Sequence, residues 1–297
     1  MCPVSLSPDI YRKIRQIEIA TRRLVNEAVA GEYHSVFKGR GIEYSEVRPY
    51  QAGDDIRTID WNVTSRSGSL HVKKYVEERE LTVLLLVDAS RSTGFGSGTK
   101  SKEEVAAEIA AIIAFSAIRN NDRVGVVLFT GAVEKYIPPR KGTRHVLRLV
   151  REILAFQPAR PDTSIGNALE FASRVLKKRS IVFLISDFID AGYADALRVA
   201  ARMHDLVGIA ITDTGERSLP PLGWLRLADL ESGQLRLVPA FWPPTRRRYQ
   251  EAVDAHRRER QALLRKQRID QVEILADASY EKPLQQFFRR RARRLRR

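Results

Sequence analysis

The sequence predicts an α/β fold with a doubly wound, mostly parallel sheet, and three observations carry that expectation. Residues Leu81–Val87, Arg123–Thr130, Ser180–Ser186 and Leu206–Ile211 are short, β-favouring, largely apolar runs. A strand buried on both faces reads this way, whereas a half-exposed strand alternates. Two of these runs end in an aspartate, Asp88 and Asp187. Helical patterns separate the runs, over about 102–119, 144–155, 164–177 and 191–203. Strands alternating with helices build βαβ units, whose crossover connections pair strands in parallel.

The remaining elements follow in order. Ile10, Ile14, Ile17, Thr21, Leu24 and Ala28 fall at steps of three and four, which predicts an amphipathic helix over 9–30. A turn-rich stretch, 31–53, holds a strand-like run at Ile42–Val47, and Leu70–Val76 gives a second. Residues 1–80 therefore read as a small α+β region, and 81–297 as the α/β domain. Ser101 and Glu104 form a capping-box pattern that starts the helix at Lys102. Ala132–Ile137 is a hairpin partner for the strand before it. Residues 218–239 interrupt the alternation: two strand-like runs flank Glu231-Ser232-Gly233, which predicts an inserted β-hairpin. A charged helix over about 244–268, a strand at Gln271–Leu275 and a terminal helix complete the chain.

Composition narrows the class. With 43% hydrophobic and 29% charged residues, a chain of 297 residues has the makings of a folded core rather than a disordered segment. Cys2 is the sole cysteine, so no disulfide can form within the chain, which suits a reducing compartment. Residues 1–30 lack a secretory pattern. The longest apolar stretch, Val105–Ile118, is broken by Glu108 and falls short of the roughly 20 residues a bilayer span needs. A cytoplasmic location is the expectation. The net charge of +15 raises nucleic acid or an anionic membrane as a partner. Much of it sits late in the chain, with seven arginines in 287–297 and a second block at Arg246–Arg248, Arg257, Arg258 and Arg260. A solvated terminal helix, anchored by Phe287 and Phe288, accounts for the tail, and electrostatic binding of nucleic acid or membrane is the alternative.

Ligands of open α/β sheets bind outside the carboxyl ends of the strands. Asp88 and Asp187 are expected to meet there. Asp88-Ala-Ser90-Arg-Ser92 offers three oxygen-bearing side chains from one loop, and Thr163 supplies another hydroxyl ahead of a helix. Oxygen donors without Cys or His suit a hard cation, Mg²⁺ or Mn²⁺. The five histidines show no spacing for zinc. Each residue also has a plainer use: Asp162 or Thr163 as a helix cap, Asp187 as a cap for the helix after it.

Taken together, Asp88, Ser90, Ser92, Thr163 and Asp187 resemble the metal-ion-dependent adhesion site of von Willebrand factor type A domains. That resemblance implies that the serines and the threonine contact the metal, that the aspartates act directly or through water, and that a partner's Asp or Glu completes the coordination. Residues Gly39–Trp61, Glu78-Arg79-Glu80, Asp122–Gly125, Pro138–Gly142, His204-Asp205 and Leu284–Arg291 resemble the bacterial family called domain of unknown function 58, in which such a segment precedes a von Willebrand A-like domain. The resemblance implies an adaptor working with a MoxR-type AAA+ ATPase, and the absence of a nucleophile–base pair or intact phosphate loop leads to the expectation of no catalytic turnover. Read from the residues alone, Arg48 and Arg57 with Asp54, Asp55 and Asp60, beside Tyr50 and Trp61, form a salt-bridge and aromatic cluster that holds the segment on the sheet.

Enzyme patterns fit less well. Gly94–Ser101 stands between a strand and a helix as a phosphate loop would, but Thr99 replaces the glycine before Lys100. A haloacid-dehalogenase phosphatase needs an aspartate where Ser90 stands, and no Gly-x-Ser-x-Gly elbow occurs in a strand–turn–helix context.

Overall fold

The computed structural model describes residues 43–76, 80–98, 100–228 and 234–295, together with Arg12, Arg15–Ile17, Ile19 and Tyr33. The chain forms two compact units, one of Phe37–Leu81 and one of the remaining residues. The expected division at residue 80 therefore falls at Leu81, but the smaller unit does not reach back to residue 1. Tyr33 is buried in the larger unit, edge-on to Phe288 at 6.0 Å between ring centroids. The helix expected over 9–30 lies largely outside the described residues; Arg12, Arg15, Gln16, Ile17 and Ile19 are helical.

In the smaller unit, β1 (Glu43–Pro49) pairs antiparallel with β2 (His71–Val76). Between them Asp55 caps a 3-10 turn and Asp60 caps α1 (Trp61–Ser67), accepting from the backbone N–H of Asn62 and Val63. Gly68, at φ +71°, ends α1 in the left-handed conformation that glycine adopts without a Cβ penalty. Arg48 grips Asp54 with both guanidinium nitrogens, at 2.8 and 2.7 Å. Of the expected charged cluster, the Arg48–Asp54 pair forms, as a clasp on the β1–α1 loop, while Asp55 and Asp60 serve as caps. The aromatic half does not form, because Trp61 is 64% exposed.

The larger unit carries a six-stranded sheet in the order β10-β7-β6-β3-β4-β5. Its strands are β3 (Thr82–Asp88), β4 (Arg123–Phe129), β5 (Val133–Arg140), β6 (Ile181–Ser186), β7 (Asp205–Thr212) and β10 (Asp270–Leu275). All pairings are parallel except that of β5 with β4. The α/β, doubly wound, mostly parallel sheet that the apolar runs predict is what the chain builds. The helices α2 (Lys102–Arg119), α3 (Thr143–Leu154), α4 (Ile165–Val175) and α5 (Ala194–Met203) fill the crossovers, with the short α6 (Thr214–Arg217) after β7. Helix α7 (Pro243–Lys266) precedes β10, and α8 (Glu281–Leu295) closes the chain.

Strand alternation explains the core. Leu84, Leu86, Val182 and Leu184 enter one apolar cluster with Ile165, Leu169 and Ala172 of α4, Leu197 of α5 and Leu264 of α7. Val83, Leu85 and Val87 face the other way and are equally buried. Helix α2 packs over β3, β4 and β7 and beneath α3, so it is apolar around most of its circumference. Its capping box forms as expected, Ser101 Oγ accepting from Glu104 N and Glu104 Oε2 from Ser101 N.

The C-terminal arginines are not simply solvated. Arg291 is buried, paired with Asp205 and, at 2.9 Å, with Asp270, and Arg294 meets Asp270 at 2.6 Å. They tie α8 to the starts of β7 and β10, while Phe287 and Phe288 are buried as expected. In the second basic block, Arg257 and Arg260 converge on Glu273 of β10, at 2.6 and 2.7 Å. Burial alone would raise the Glu273 pKa. The hydrogen bonds from Arg257 and Gln261 and the two guanidinium charges outweigh it and bring it from 4.5 to about 2. A depressed carboxylate stabilises the fold above its unfolded pKa and loses that contribution as pH falls through the folded value. Unfolding by denaturant should therefore show about 3 kcal/mol of stability lost between pH ~5 and ~2 that Glu273→Gln does not lose. An unchanged acid limb in that variant would contradict the role given to Glu273.

The expected hairpin is β8 (Trp224–Ala228) paired antiparallel with β9 (Leu235–Pro239), a separate two-stranded sheet. Among the described residues, no helix is long and apolar enough to cross a membrane.

Candidate metal centre

The carboxyl ends of β3 and β6 lie side by side, because Val83–Val87 pairs in register with Ile181–Ile185. The chain must turn at that edge, and there the two acids sit, Asp88 as the last residue of β3 and Asp187 just past β6. Both are buried, as are Ser90 and Ser92. Asp88 folds the loop after β3 around itself, its Oδ1 accepting from Ser90 N at 3.0 Å. The Ser90 and Ser92 hydroxyls then meet each other at 3.0 Å. Three of the five expected residues are thus in one hydrogen-bonded group.

The residue before Asp187, Ser186, ties the end of β6 to Asp88, and nothing in the sequence marks it. Ser186 Oγ donates to Asp88 Oδ2 at 2.6 Å and accepts from Phe188 N at 2.9 Å. Phe188 has φ +61°, in the left-handed region, a cost of roughly 1–2 kcal/mol for a residue with a Cβ. That turn brings its N–H onto Ser186 and fixes the peptide beside Asp187. Asp187 does not cap the next helix: its Oδ1 accepts from Ile189 N at 3.1 Å, and α5 begins only after Tyr193.

Thr163 is half-buried in the loop before α4. Two backbone hydrogen bonds hold that loop against the same edge, Arg91 N to Pro161 O at 3.2 Å and Ser164 N to Thr130 O at 2.9 Å. The cap of α4 is Ser164 rather than Thr163 or Asp162. Asp162 instead packs so closely on Gly131 that a Cβ there would overlap its carboxylate. Thr163 is therefore in the loop adjoining Asp88-Ser90-Ser92, and Asp88 and Asp187 lie at the ends of neighbouring strands on that edge.

A lysine completes the group. Lys102, the first residue of α2, is 1% exposed, with Nζ 2.9 Å from Asp187 Oδ2 and 2.7 Å from Glu216 Oε1 of α6. Burial lowers its pKa, but the Asp187 and Glu216 carboxylates more than offset this and leave it raised, so it is an ammonium. Asp88 shows the opposite balance. Burial, and then the charge of Asp187, push its carboxyl well above the usual carboxylate range, against the hydrogen bonds from Ser186 and Ser90. Nothing in the sequence pointed to Lys102 or Glu216, which lie 85 and 29 residues from Asp187 in the chain.

The donor set fits a divalent cation. Asp88, Asp187 and Glu216 against Lys102 leave a formal charge of −2 when all are ionised, and every available donor is a hard oxygen. Among the described residues, no three His, Cys, Asp or Glu side chains converge as ligands, so a metal here would rest on the two aspartates with hydroxyls.

Comparison with known proteins gives the chain its relatives. The uncharacterized protein Rv1480 of Mycobacterium tuberculosis (strain H37Rv) is 31% identical over 253 residues, 84% of this chain and 80% of that protein. The uncharacterized protein YeaD of Bacillus subtilis is 28% identical over 109 residues, covering 37% of this chain and 25% of its own. Among solved structures, the conserved hypothetical protein BatB from Bacteroides thetaiotaomicron aligns at 17% identity, over 72% of this chain and 99% of its own, with a TM-score of 0.49. The VWA domain of SpRpn10 aligns at 11% identity over 71% and 95%, with a TM-score of 0.38. At these scores neither structure bears on function, and the fold stands on the topology above. A family model, "Protein of unknown function DUF58", matches residues 46–259. The chain belongs to the DUF58 family.

Proposed function

We propose that this protein is a metal-dependent protein-binding adaptor without catalytic turnover, in which Asp88, Ser90, Ser92, Thr163 and Asp187 hold one Mg²⁺ or Mn²⁺. The observation that carries the reading is the pair of buried acids, Asp88 and Asp187, at the carboxyl ends of neighbouring strands, with the Ser90 and Ser92 hydroxyls in the loop that Asp88 opens. Neutral hydroxyls leave a bound dication undercompensated, so an Asp or Glu offered by a partner is attracted strongly in the low-dielectric site. The chain's own residues supply orientation: Ser186 fixes Asp88, and Lys102 fixes Asp187. Lys100, which a phosphate loop would turn towards a nucleotide, is paired with Glu108 at 2.7 Å, which supports a binding role over nucleotide hydrolysis.

The partner is a MoxR-type AAA+ ATPase, or another protein presenting an acidic side chain, and the location is cytoplasmic. The ATPase comes from the resemblance and the acid preference from the site. Tagged protein should retain the ATPase from a native lysate with Mg²⁺, lose it with chelator, and lose it in Asp187→Ala. Retention indifferent to chelator and to Asp187 would overturn the reading. The second reading, electrostatic binding of nucleic acid, is favoured by exposed Arg289, Arg290 and Arg293 on α8. It would show as binding that falls steeply with salt and is insensitive to Asp187.

A further inference from the structure

The inserted hairpin carries a concentration of exposed apolar side chains that the metal centre does not use. Leu222, Trp224, Leu235, Leu237, Phe241 and Trp242 are each between 52% and 63% exposed. The pairing register puts Trp224, Leu235 and Leu237 together. Trp224 lies opposite Pro239, Arg226 opposite Leu237 and Ala228 opposite Leu235, so Trp224, Arg226, Ala228, Leu235, Leu237 and Pro239 share one face of the hairpin. Phe241 extends the face, edge-on to Trp224 at 5.9 Å.

The patch is built into the fold. Phe241 N donates to Gly223 O at 3.2 Å, and Arg246 Nη1 donates to the carbonyls of Ala240 and Phe241, at 2.8 and 3.0 Å. Trp242 is the residue from which α7 starts. Exposing large apolar groups in this way costs solubility, and a contiguous patch of them marks an interaction surface.

Charge selects the occupant. Residues 222–228 and 234–248 contain five arginines, at 226, 236, 246, 247 and 248, and no acid. The two acids of the segment, Asp229 and Glu231, fall between the strands in sequence. A second copy of the chain would set arginine against arginine across a two-fold axis, which is repulsive. Side chains more than half exposed project outward and do not line a groove for a peptide. Tryptophan, phenylalanine and leucine projecting beside arginines match a phospholipid interface, where aromatic rings sit at headgroup level and guanidinium groups meet phosphates.

We propose that the hairpin face of Trp224, Leu235, Leu237 and Phe241, with Arg226 and with exposed Trp242, Arg247 and Arg248 at the start of α7, is a peripheral docking surface for an anionic lipid bilayer. It is independent of the metal reading: loss of metal binding would leave it standing, and its own failure would leave the metal centre intact.

The test uses the full chain and sedimentation with vesicles of phosphatidylcholine, alone or mixed with phosphatidylglycerol. The chain should bind the mixed vesicles, with a blue shift of tryptophan emission retained in a Trp61→Phe background. Trp224→Ser with Leu237→Ser should weaken binding by about tenfold or more, with unchanged circular dichroism and melting temperature, since both side chains are over half exposed. Arg247→Gln with Arg248→Gln should weaken binding to mixed vesicles and flatten its salt dependence. Several results would overturn the proposal. These are no binding to mixed vesicles, equal binding to neutral ones, binding unaffected by the hairpin pair but lost on removal of the arginines after Arg289, or a dimer in solution that the hairpin pair dissociates.

Discussion

Replacing Lys102 with methionine should destabilise the metal-free protein by about 3–5 kcal/mol, the range seen when one member of a buried ion pair is removed. The ammonium is the counter-charge of Asp187, whose side chain is 1% exposed, and it also holds Glu216, which is 28% exposed. Methionine keeps the length and packing of the chain but leaves Asp187 buried and uncompensated beside Asp88. Mg²⁺ should reverse part of the loss. The site's formal charge goes from −2 to −3 on removal of the ammonium, so the dication should bind the variant more tightly than the wild type. Thermal unfolding with and without Mg²⁺ should therefore show a larger upward shift of Tm for Lys102→Met than for wild type. A variant as stable as wild type, or one that Mg²⁺ shifts no further, would mean that Lys102 and the cation do not share Asp187.

Asp88→Asn should act in the opposite sense on stability. Asp88 is buried next to Asp187, and burial and that neighbouring charge disfavour its ionised form. Asparagine keeps the shape and can still meet Ser90 N and Ser186 Oγ, the two groups that Asp88 contacts at 3.0 and 2.6 Å. Without metal, the variant should melt no lower than wild type. With Mg²⁺ at a hundred times the wild-type Kd, wild type gains about 2.7 kcal/mol and the variant close to nothing. Loss of stability in the metal-free variant would mean that the carboxylate serves the fold rather than a ligand.

How far the sequence alone reaches is visible at particular residues. The runs Leu81–Val87 and Ser180–Ser186 announce buried parallel strands because nothing polar interrupts them, and Ser101 with Glu104 announces the start of α2, because both signals are local. Asp88, Ser90 and Ser92 are legible for the same reason, lying within one turn of chain. Lys102 is not. A lysine at the first position of a helix ordinarily points to solvent, and only the packing of α2 over the sheet brings its Nζ to Asp187. Arg291 misleads in the same way: within a run of arginines it reads as solvated, yet β7 and β10 each present an aspartate to it. Phe188 shows a third limit, since a bulky aromatic gives no sign in sequence of a left-handed backbone. The hairpin was readable as two strands about a turn, but its apolar face was not, because strand register decides which side chains share a face.

The Asp88–Asp187 edge is the proposed seat of a divalent cation. Titration of the metal-free full chain with Mg²⁺, and separately with Mn²⁺, by isothermal calorimetry tests it directly, with Asp88→Asn as the matched reference. The predicted result is a single saturable site in wild type, weakened by about a hundredfold or more in Asp88→Asn, since a neutral amide replaces a buried anionic ligand. No saturable binding in wild type, or equal binding by both proteins, would contradict it.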